Sequence, residues 1–585
     1  MKKIILLPAI ALTLGVCSGC NLFKYFDKKV NIYREKDEPD KQITLRYYFE
    51  QRHVPYIKVN DYYKEFFNTS LQLNKNENDY KYSLATNSYL EFNLDNNSLS
   101  IADLSAFSSH PNAKSSTGKC FIKVENIEYT TPQVKTIDMN KYNIHFYSDE
   151  NEIYAPLTLL SKICGGILLY DVAYNGKDIY VLDYGSALFD EERTTDYYGE
   201  KYLKKIESGL PRSKDMAEYS YNELCFVFDN FRGETDQMIF GEDKLNTLGL
   251  DGLLSTYYPE IKGYLLSTGK RNYYAGLLSL FFGLHDGGHT ALLTGFMKLL
   301  IALYTKVMGI EPFSSLLNAC NDKDNEKQKI YQSCDYGRSG QLGTPGDNYY
   351  YLDQEAKTAY IGFDSFDVDY ASWNKYYKGE GGVPVDTDTF AFVRDKLYKA
   401  SSIGVENIIL DVTTNGGGDT NALNGLVALF NNSRSSLSFK DTFNNYLINE
   451  NYLIDINLDG EFNELDVQEC EKFNFNVGVL TSGYSFSCAN MFPAKMKELG
   501  YMIIGQQSGG GSCAISVEST AEGIAYVRSS HLTFTGKDGE SIDGGVKVDH
   551  EIEMLDNKLI ELYDTSDFYN CSLMQSILSD FYSTK

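Results

Sequence analysis

Asn407-Ile408-Ile409-Leu410-Asp411-Val412, followed by Thr413-Thr414-Asn415-Gly416-Gly417-Gly418, decides how this chain is read. The first six residues are a short apolar run rich in β-branched side chains, the pattern of a buried strand. Three glycines end it, and Ala422 to Phe430 then has the composition of a helix. The same plan returns downstream, with a strand from Val477 to Leu480 and the turn Thr481-Ser482-Gly483-Tyr484-Ser485-Phe486-Ser487. Cys488-Ala489-Asn490 follows, opening a helix that runs from about Ala489 to Leu499. A third strand, Tyr501 to Ile504, runs into Gln507-Ser508-Gly509-Gly510-Gly511-Ser512. Strand-to-helix turns gather free backbone N–H groups at one point, which suits an oxyanion. One turn with a serine and another with adjacent glycines make a candidate acyl-transfer site.

The order and spacing of these parts resemble the catalytic core of the C-terminal processing (tail-specific) serine peptidases. The resemblance covers about residues 190 to 555 and includes the ending Gly544-Gly545-Val546-Lys547-Val548-Asp549, with Val548 where that family usually has proline. It implies an α/β crotonase-like (ClpP-like) peptidase core. The implied nucleophile is Ser487, directly before the small residues that open the helix, and Ser485 is the near alternative. One branch of the family takes a lysine base from a Gly-Lys-Gly turn after the third strand, but here Gly511 stands at that place. The other branch, similar to the tricorn core protease, takes a histidine from an upstream Asp-Gly-His-Thr segment. This chain has Leu284-His285-Asp286-Gly287-Gly288-His289-Thr290, with one extra glycine, so His289 is the expected base. Asp543, in Ser541-Ile542-Asp543-Gly544-Gly545, sits near where that branch places an acid, about one residue out of register, and is the expected partner of the imidazole.

The chemistry of the residues agrees with these roles. A serine hydroxyl needs a base to take its proton, and a neutral imidazole with a pKa near 6.5 suits that task. The N–H of Cys488 at the helix start, with that of Gly416 or Gly417, would hold the oxyanion. Rival readings exist for several of these residues. His285 and His289 are four apart with Asp286 between them, like a zinc helix, but Gly287 and Gly288 each cost a helix about 1 kcal/mol. Cys488 could be a thiol nucleophile, or a small apolar filler where the family has a small residue. Neither glycine cluster carries the Gly-Lys-Ser/Thr of a P-loop.

Outward from this core, the chain of 585 residues is long enough for several domains. Met1-Lys2-Lys3 and the apolar run Ile4 to Val16 read as a signal sequence too short to span a membrane. Val16-Cys17-Ser18-Gly19-Cys20 resembles a lipobox, which implies cleavage before Cys20 and a lipid on that cysteine, so the mature protein would be anchored to the membrane outside the cytoplasm. Residues 20–40 are charged and read as a tether; 41–188 alternate short strands with Asn, Asp and Gly turns, an α+β module. Tyr154-Ala155-Pro156-Leu157-Thr158-Leu159-Leu160, Gly165-Gly166 and Asp178-Ile179-Tyr180-Val181 resemble the copper-amine-oxidase-like module of secreted bacterial proteins, which carries no copper chemistry. Residues 189–345 read as a helical subdomain, helical at Glu223 to Phe228, Tyr273 to Leu284 and Ala291 to Val307, with a polar loop from Asp322 to Asn348. Residues 346–585 are the catalytic domain, and no segment has the glycine-rich pattern of a PDZ module.

Lys and Arg number 54 against 80 Asp and Glu, a net charge of −26, which repels nucleic acid. The 11 cysteines have no regular spacing, so they read neither as a disulfide framework nor as a zinc site. Between about 450 and 470 an insertion carries Asp455, Asn457, Asp459, Glu461, Asn463 and Asp466, with Gly460 at the sixth loop position. That spacing resembles a dockerin-type calcium loop, so a structural Ca²⁺ is expected and no cofactor for catalysis. The sequence thus reads as a lipid-anchored extracytoplasmic serine endopeptidase acting on protein or peptide. A non-catalytic peptidase-fold scaffold that binds peptide or cell-wall material is the competing class, and an esterase or amidase using the same pair is a third.

Overall fold

The structure is a computed structural model, and it describes residues 24–34, 38–108, 120–149, 151–165, 170–183, 212–233, 235–293, 311–343, 348–537 and 539–584. The signal segment, Cys20 and the expected boundaries near 188 and 345 lie outside the described residues.

The site is carried by a six-stranded sheet whose strands lie in sequence order: Asn348–Asp353, Thr358–Phe363, Asn407–Asp411, Asn476–Thr481, Met502–Gly505 and His550–Glu551. The first pair is antiparallel and the rest are parallel. The parallel strands are joined through helices Thr389–Ser402, Thr420–Leu429 and Cys488–Glu498. Asn407–Asp411 is buried throughout because both sheet faces are covered. Ile408 and Leu410 face one core with Phe390, Leu426 and Phe492, while Ile409 faces another with Tyr360, Leu480 and Leu578. Such alternation puts consecutive residues of one strand into different layers.

A second sheet stands beside it, ordered Ala291–Leu292, Ala525–Thr535, Arg434–Asp441, Tyr446–Ile454 and Ile122–Tyr129, with Cys513–Ser519 paired to Ala525–Thr535. The amino-terminal region holds a seven-stranded sheet and a five-stranded antiparallel meander. Its core continues without interruption into helices Lys214–Asn230 and Lys270–Gly283.

Three segments differ from the sequence reading. Tyr25–Arg34, expected as tether, is a strand between Lys41–Tyr48 and Ile179–Asp183. Only Val30 and Ile32 of it are buried, so its charged alternate positions hid the period of two. The expected polar loop from Asp322 is instead part of the helix Phe313–Leu342. Its buried residues cluster at its two ends, Phe313 to Cys320 and Ser333 to Leu342, and the exposed charged middle carries no apolar stripe. Ala291–Leu292, expected to begin a helix, is a strand on Ala525–Thr535, and the remainder of that expected helix from 294 lies outside the described residues.

Candidate active site

Ser487 stands at the junction between strand Asn476–Thr481 and helix Cys488–Glu498 with φ 56° and ψ −120°. A non-glycine residue held there is strained by about 1–3 kcal/mol, a cost that persists only where the surroundings over-determine it. Those surroundings are visible: the Ser487 N–H donates to Gly510 O at 2.9 Å, and its carbonyl accepts from Met491 N at 2.9 Å. Ser487 Oγ makes no hydrogen bond to any described residue. Ser485 is different. Its buried hydroxyl donates to Val412 O at 2.7 Å and accepts from Ser482 N at 3.0 Å. It ties the two strand-to-helix turns together, and its oxygen is already committed.

The glycine turn lies against Ser487. A Cβ on Gly417 would fall 2.7 Å from Ser487 Cβ and 3.1 Å from Ser487 Oγ, and Gly417 has φ 116°. Glycine is required at this approach. The Gly417 N–H is engaged by Asn415 Oδ1 at 2.8 Å, so of the two expected glycine donors only Gly416 has an uncommitted amide. Cys488, the first residue of the helix, likewise has no partner for its N–H among the described residues. Its thiol donates to Gly418 O at 3.1 Å, and burial pushes its pKa well up, so it is an apolar filler and not a thiolate.

His289 is delivered by a turn fastened on three sides. Asp286 Oδ1 accepts from His289 N at 3.0 Å and Thr290 N at 2.8 Å, while Oδ2 accepts from Thr290 Oγ1 and Ser529 Oγ. The strand pairing of Ala291 with Val527 and the Lys327 Nζ bond to Gly287 O, 2.7 Å, complete the frame. The imidazole packs edge-on to the Phe486 ring with centroids 4.8 Å apart. Burial holds its pKa below the usual histidine range, Lys327 adds to the effect, and Asp286 and Asp543 oppose it. It is therefore neutral at neutral pH. His285 and His289 lie beyond the end of helix Lys270–Gly283, not on a continuous helix, so they do not form a His-x-x-x-His zinc pair.

The structure does not bring every expected partner together. No hydrogen bond joins His289 to Ser487, and His289 Nδ1 is buried without a partner. The Asp543 carboxylate is occupied elsewhere, accepting from Ser512 N at 2.9 Å, Ser512 Oγ at 3.0 Å and Asp236 N at 3.0 Å. It shapes the Gly510–Ser512 turn and does not orient His289. The absent lysine also has a steric counterpart, because a Cβ on Gly511 would fall 2.3 Å from the Phe486 ring. Sequence reasoning missed Lys327, whose Nζ lies 4.3 Å from the Phe486 ring centre, since its segment reads as loop. It also took Asp286 only for a zinc-helix mimic, although an Asp three residues before a turn residue is a common acceptor for the turn's amides.

Beside the glycine turn opens a cleft of about 440 Å³ lined by Gln328, Tyr331, Asp364, Thr414, Gly416 and Tyr484, among others. One wall is helix Phe313–Leu342, where Arg338 pairs with Asp364 at 2.9 Å. The loop Asp455–Asp466 lies apart from this cleft. Asp455 and Asp466 are buried and accept from the amides of residues 456, 457, 459, 460 and 463, and Gly460 has φ 87°. Asn457 and Asp459 bond one another, Glu461 is exposed, and Asn463 caps the following helix.

Residues 357–552 match the model of peptidase family S41. The chain carries an S41 peptidase domain. That domain is of the serine peptidase class, and the matched span begins one residue before strand Thr358–Phe363 and contains the glycine turn, the Ser487 elbow and the Gly510–Ser512 turn. No curated protein matches the chain. Among solved structures it is similar to a candidate peptidase of Parabacteroides merdae, with 15% identity, 64% of this chain and 98% of that one covered, and a TM-score of 0.38. It is similar also to a photosystem II D1 C-terminal processing protease, with 16% identity, coverage of 40% and 55%, and a TM-score of 0.27. A lipoprotein of Streptococcus agalactiae has 13% identity, coverage of 59% and 93%, and a TM-score of 0.31. The chain thus spans little more than half the length of the D1 processing protease.

Proposed function

We propose that this S41 peptidase is a lipid-anchored extracytoplasmic serine endopeptidase in which Ser487 is the nucleophile and His289 the general base. One observation carries the assignment. Of the two candidate serines in the turn, Ser487 has a strained backbone and an unbonded hydroxyl at a helix start, whereas the Ser485 hydroxyl is buried and bonded on both sides. In this reading substrate lies in the cleft along Tyr484 and the glycine turn. Ser487 Oγ attacks the scissile carbonyl as His289 takes its proton, and the Cys488 and Gly416 amides hold the oxyanion. His289 then returns the proton to the leaving amine, and water, deprotonated by the same imidazole, releases the acyl group. The Ser487–His289 bond closes in the substrate complex, since catalytic hydrogen bonds commonly tighten only there. The core is read as crotonase-like, on the sequential order of its parallel strands.

Export and anchoring rest on the basic start, the apolar run and the lipobox ending in Cys20. A structural Ca²⁺ in the loop at 455–466 is supported by its spacing, by Gly460 and by the two buried carboxylates. Against it, three carboxylates of the loop do not come within 4.8 Å of one another. A second reading, a peptidase fold retained for binding, is favoured by the unpartnered His289 Nδ1. Turnover decides between them: Ser487→Ala is expected to abolish cleavage of unfolded protein while the protein still folds. A wild-type preparation that cleaves no unfolded protein or peptide contradicts the enzyme reading.

A further inference from the structure

Helix Phe313–Leu342 does more than wall the cleft. Cys320 and Asp324 are four residues apart, so they project from the same face of this helix. That face meets His285, which follows the end of helix Lys270–Gly283 and precedes Asp286. One donor atom from each of His285, Cys320 and Asp324 lies within 4.8 Å of the other two, and theirs is the one such group among the described residues. His285 Nε2 is 3.2 Å from Asp324 Oδ1, and Cys320 Sγ is 3.7 Å from Asp324 Oδ2. A tetrahedral zinc with Zn–N and Zn–O bonds near 2.0–2.1 Å and a Zn–S bond near 2.3 Å sets its donor atoms about 3.3–3.7 Å apart. The two Asp324 oxygens stand at about that distance from the imidazole and the thiol respectively, and the three donors are close enough together for one ion to draw them in.

His285 Nε2 is buried and has no hydrogen-bond partner, despite its nearness to Asp324. The imidazole nitrogen thus faces the carboxylate at 3.2 Å without hydrogen-bond geometry, and an ion between the two would engage both. We propose that His285, Cys320 and Asp324 bind a zinc-class divalent ion, with water as the fourth ligand, and that this ion fastens the His289 turn to the long helix.

The donor set selects the metal. Thiolate and imidazole suit Zn²⁺ or Co²⁺, and one thiolate excludes the all-oxygen sites of Ca²⁺ and Mg²⁺. Asp324 is exposed, with 56% of its side chain accessible, so an ion can enter from solvent and keep a water. The Cys320 thiol donates toward Asp324 Oδ2 in the metal-free protein. Binding therefore forms the S–metal bond as the S–H bond breaks, and the proton leaves to solvent. Lys323, on the same face, has its ammonium tied to Gln237 O. Lys327, two turns beyond Cys320, already holds Gly287 O, so the ion would be a second clasp on the turn that carries Asp286 and His289.

The test is independent of the catalytic reading because it measures metal. Metal-stripped full-length protein is titrated with Co²⁺. The expected result is one equivalent bound, with tetrahedral ligand-field bands and a thiolate-to-cobalt charge-transfer band, all displaced by Zn²⁺. Cys320→Ser is expected to remove the charge-transfer band. Asp324→Asn, on the exposed side and harmless to the core, is expected to weaken binding at least tenfold. The double change Asp455→Ala, Asp459→Ala is expected to leave binding unchanged. Hydrogen exchange at residues 286–290 is expected to slow at least tenfold on zinc binding. No charge-transfer band in the wild type, a band that persists in Cys320→Ser, or unaltered binding by Asp324→Asn would overturn the site, and unchanged exchange would overturn the clasp.

Discussion

Replacing Gly417 by alanine tests whether the glycine turn sets the position of the nucleophile. The new methyl carbon would lie 2.7 Å from Ser487 Cβ and 3.0 Å from Phe486 O, and the residue would keep φ 116°. The positive φ costs about 1–3 kcal/mol. The contact with a backbone oxygen, which cannot rotate away, adds about 1–3 kcal/mol of overpacking. The fold is therefore expected to lose about 2–6 kcal/mol, relieved in part by Ser487 moving off the turn. A displacement near 1 Å at the reacting atom costs about 10²-fold in rate. The control is Gly416→Ala, where the nearest atoms are those of Tyr484 at 3.9 Å and the backbone amide is kept. It is expected to stay within about 0.5 kcal/mol in stability and to retain most activity. The assay pairs thermal melting with kcat on a fluorogenic unfolded protein. A Gly417→Ala protein that melts and turns over like wild type, or a Gly416→Ala protein that fails equally, refutes the reasoning.

The remaining predictions concern the base and the cation loop. Burial holds the His289 pKa below its ordinary value, so the acid limb of kcat/KM is expected below about pH 6.5, with the neutral imidazole active on its alkaline side. His289→Ala is expected to lose several orders of magnitude and Asp286→Asn less, the latter with an altered pH profile; a limb near the lysine range instead would remove His289 from the role. Asp455 is raised to about 6, chiefly by burial, with Asp466 and Asp459 adding to it. Because its folded pKa exceeds the unfolded one, this group destabilises the calcium-free protein progressively as pH rises through about 4 to 6. The calcium-induced rise in melting temperature should therefore be larger at pH 7 than at pH 5 and vanish in Asp455→Ala, Asp459→Ala. Equal shifts in wild type and double mutant would return the loop to an ordinary acidic turn.

The peptidase core was legible because both faces of its strands are covered. Continuous runs such as Asn407–Asp411 announce themselves, and the glycines and Ser487 fall where those strands end. What the sequence concealed depends on tertiary partners. Strand Tyr25–Arg34 buries only two apolar side chains and is held by pairing on both sides, which composition does not reveal. Helix Phe313–Leu342 is exposed through its middle, and its anchors belong to two different cores. At the site, Gly417 reads as an oxyanion donor until Asn415 is seen to occupy its amide. Asp543 reads as the partner of His289 until its oxygens are found on Ser512 and Asp236. Both outcomes turn on which of several nearby acceptors a group meets, and residue spacing alone does not determine that.

Ser487, and not its neighbour two residues earlier, is the expected nucleophile. Labelling the wild-type protein with a fluorophosphonate and mapping the adduct by mass spectrometry tests this directly. The expected result is a single adduct on Ser487. It should be absent from Ser487→Ala and present in Ser485→Ala, which instead loses about 1–3 kcal/mol of stability with its buried hydroxyl. An adduct on Ser485 or Cys488, or none on a protein that still cleaves peptide, would contradict the account.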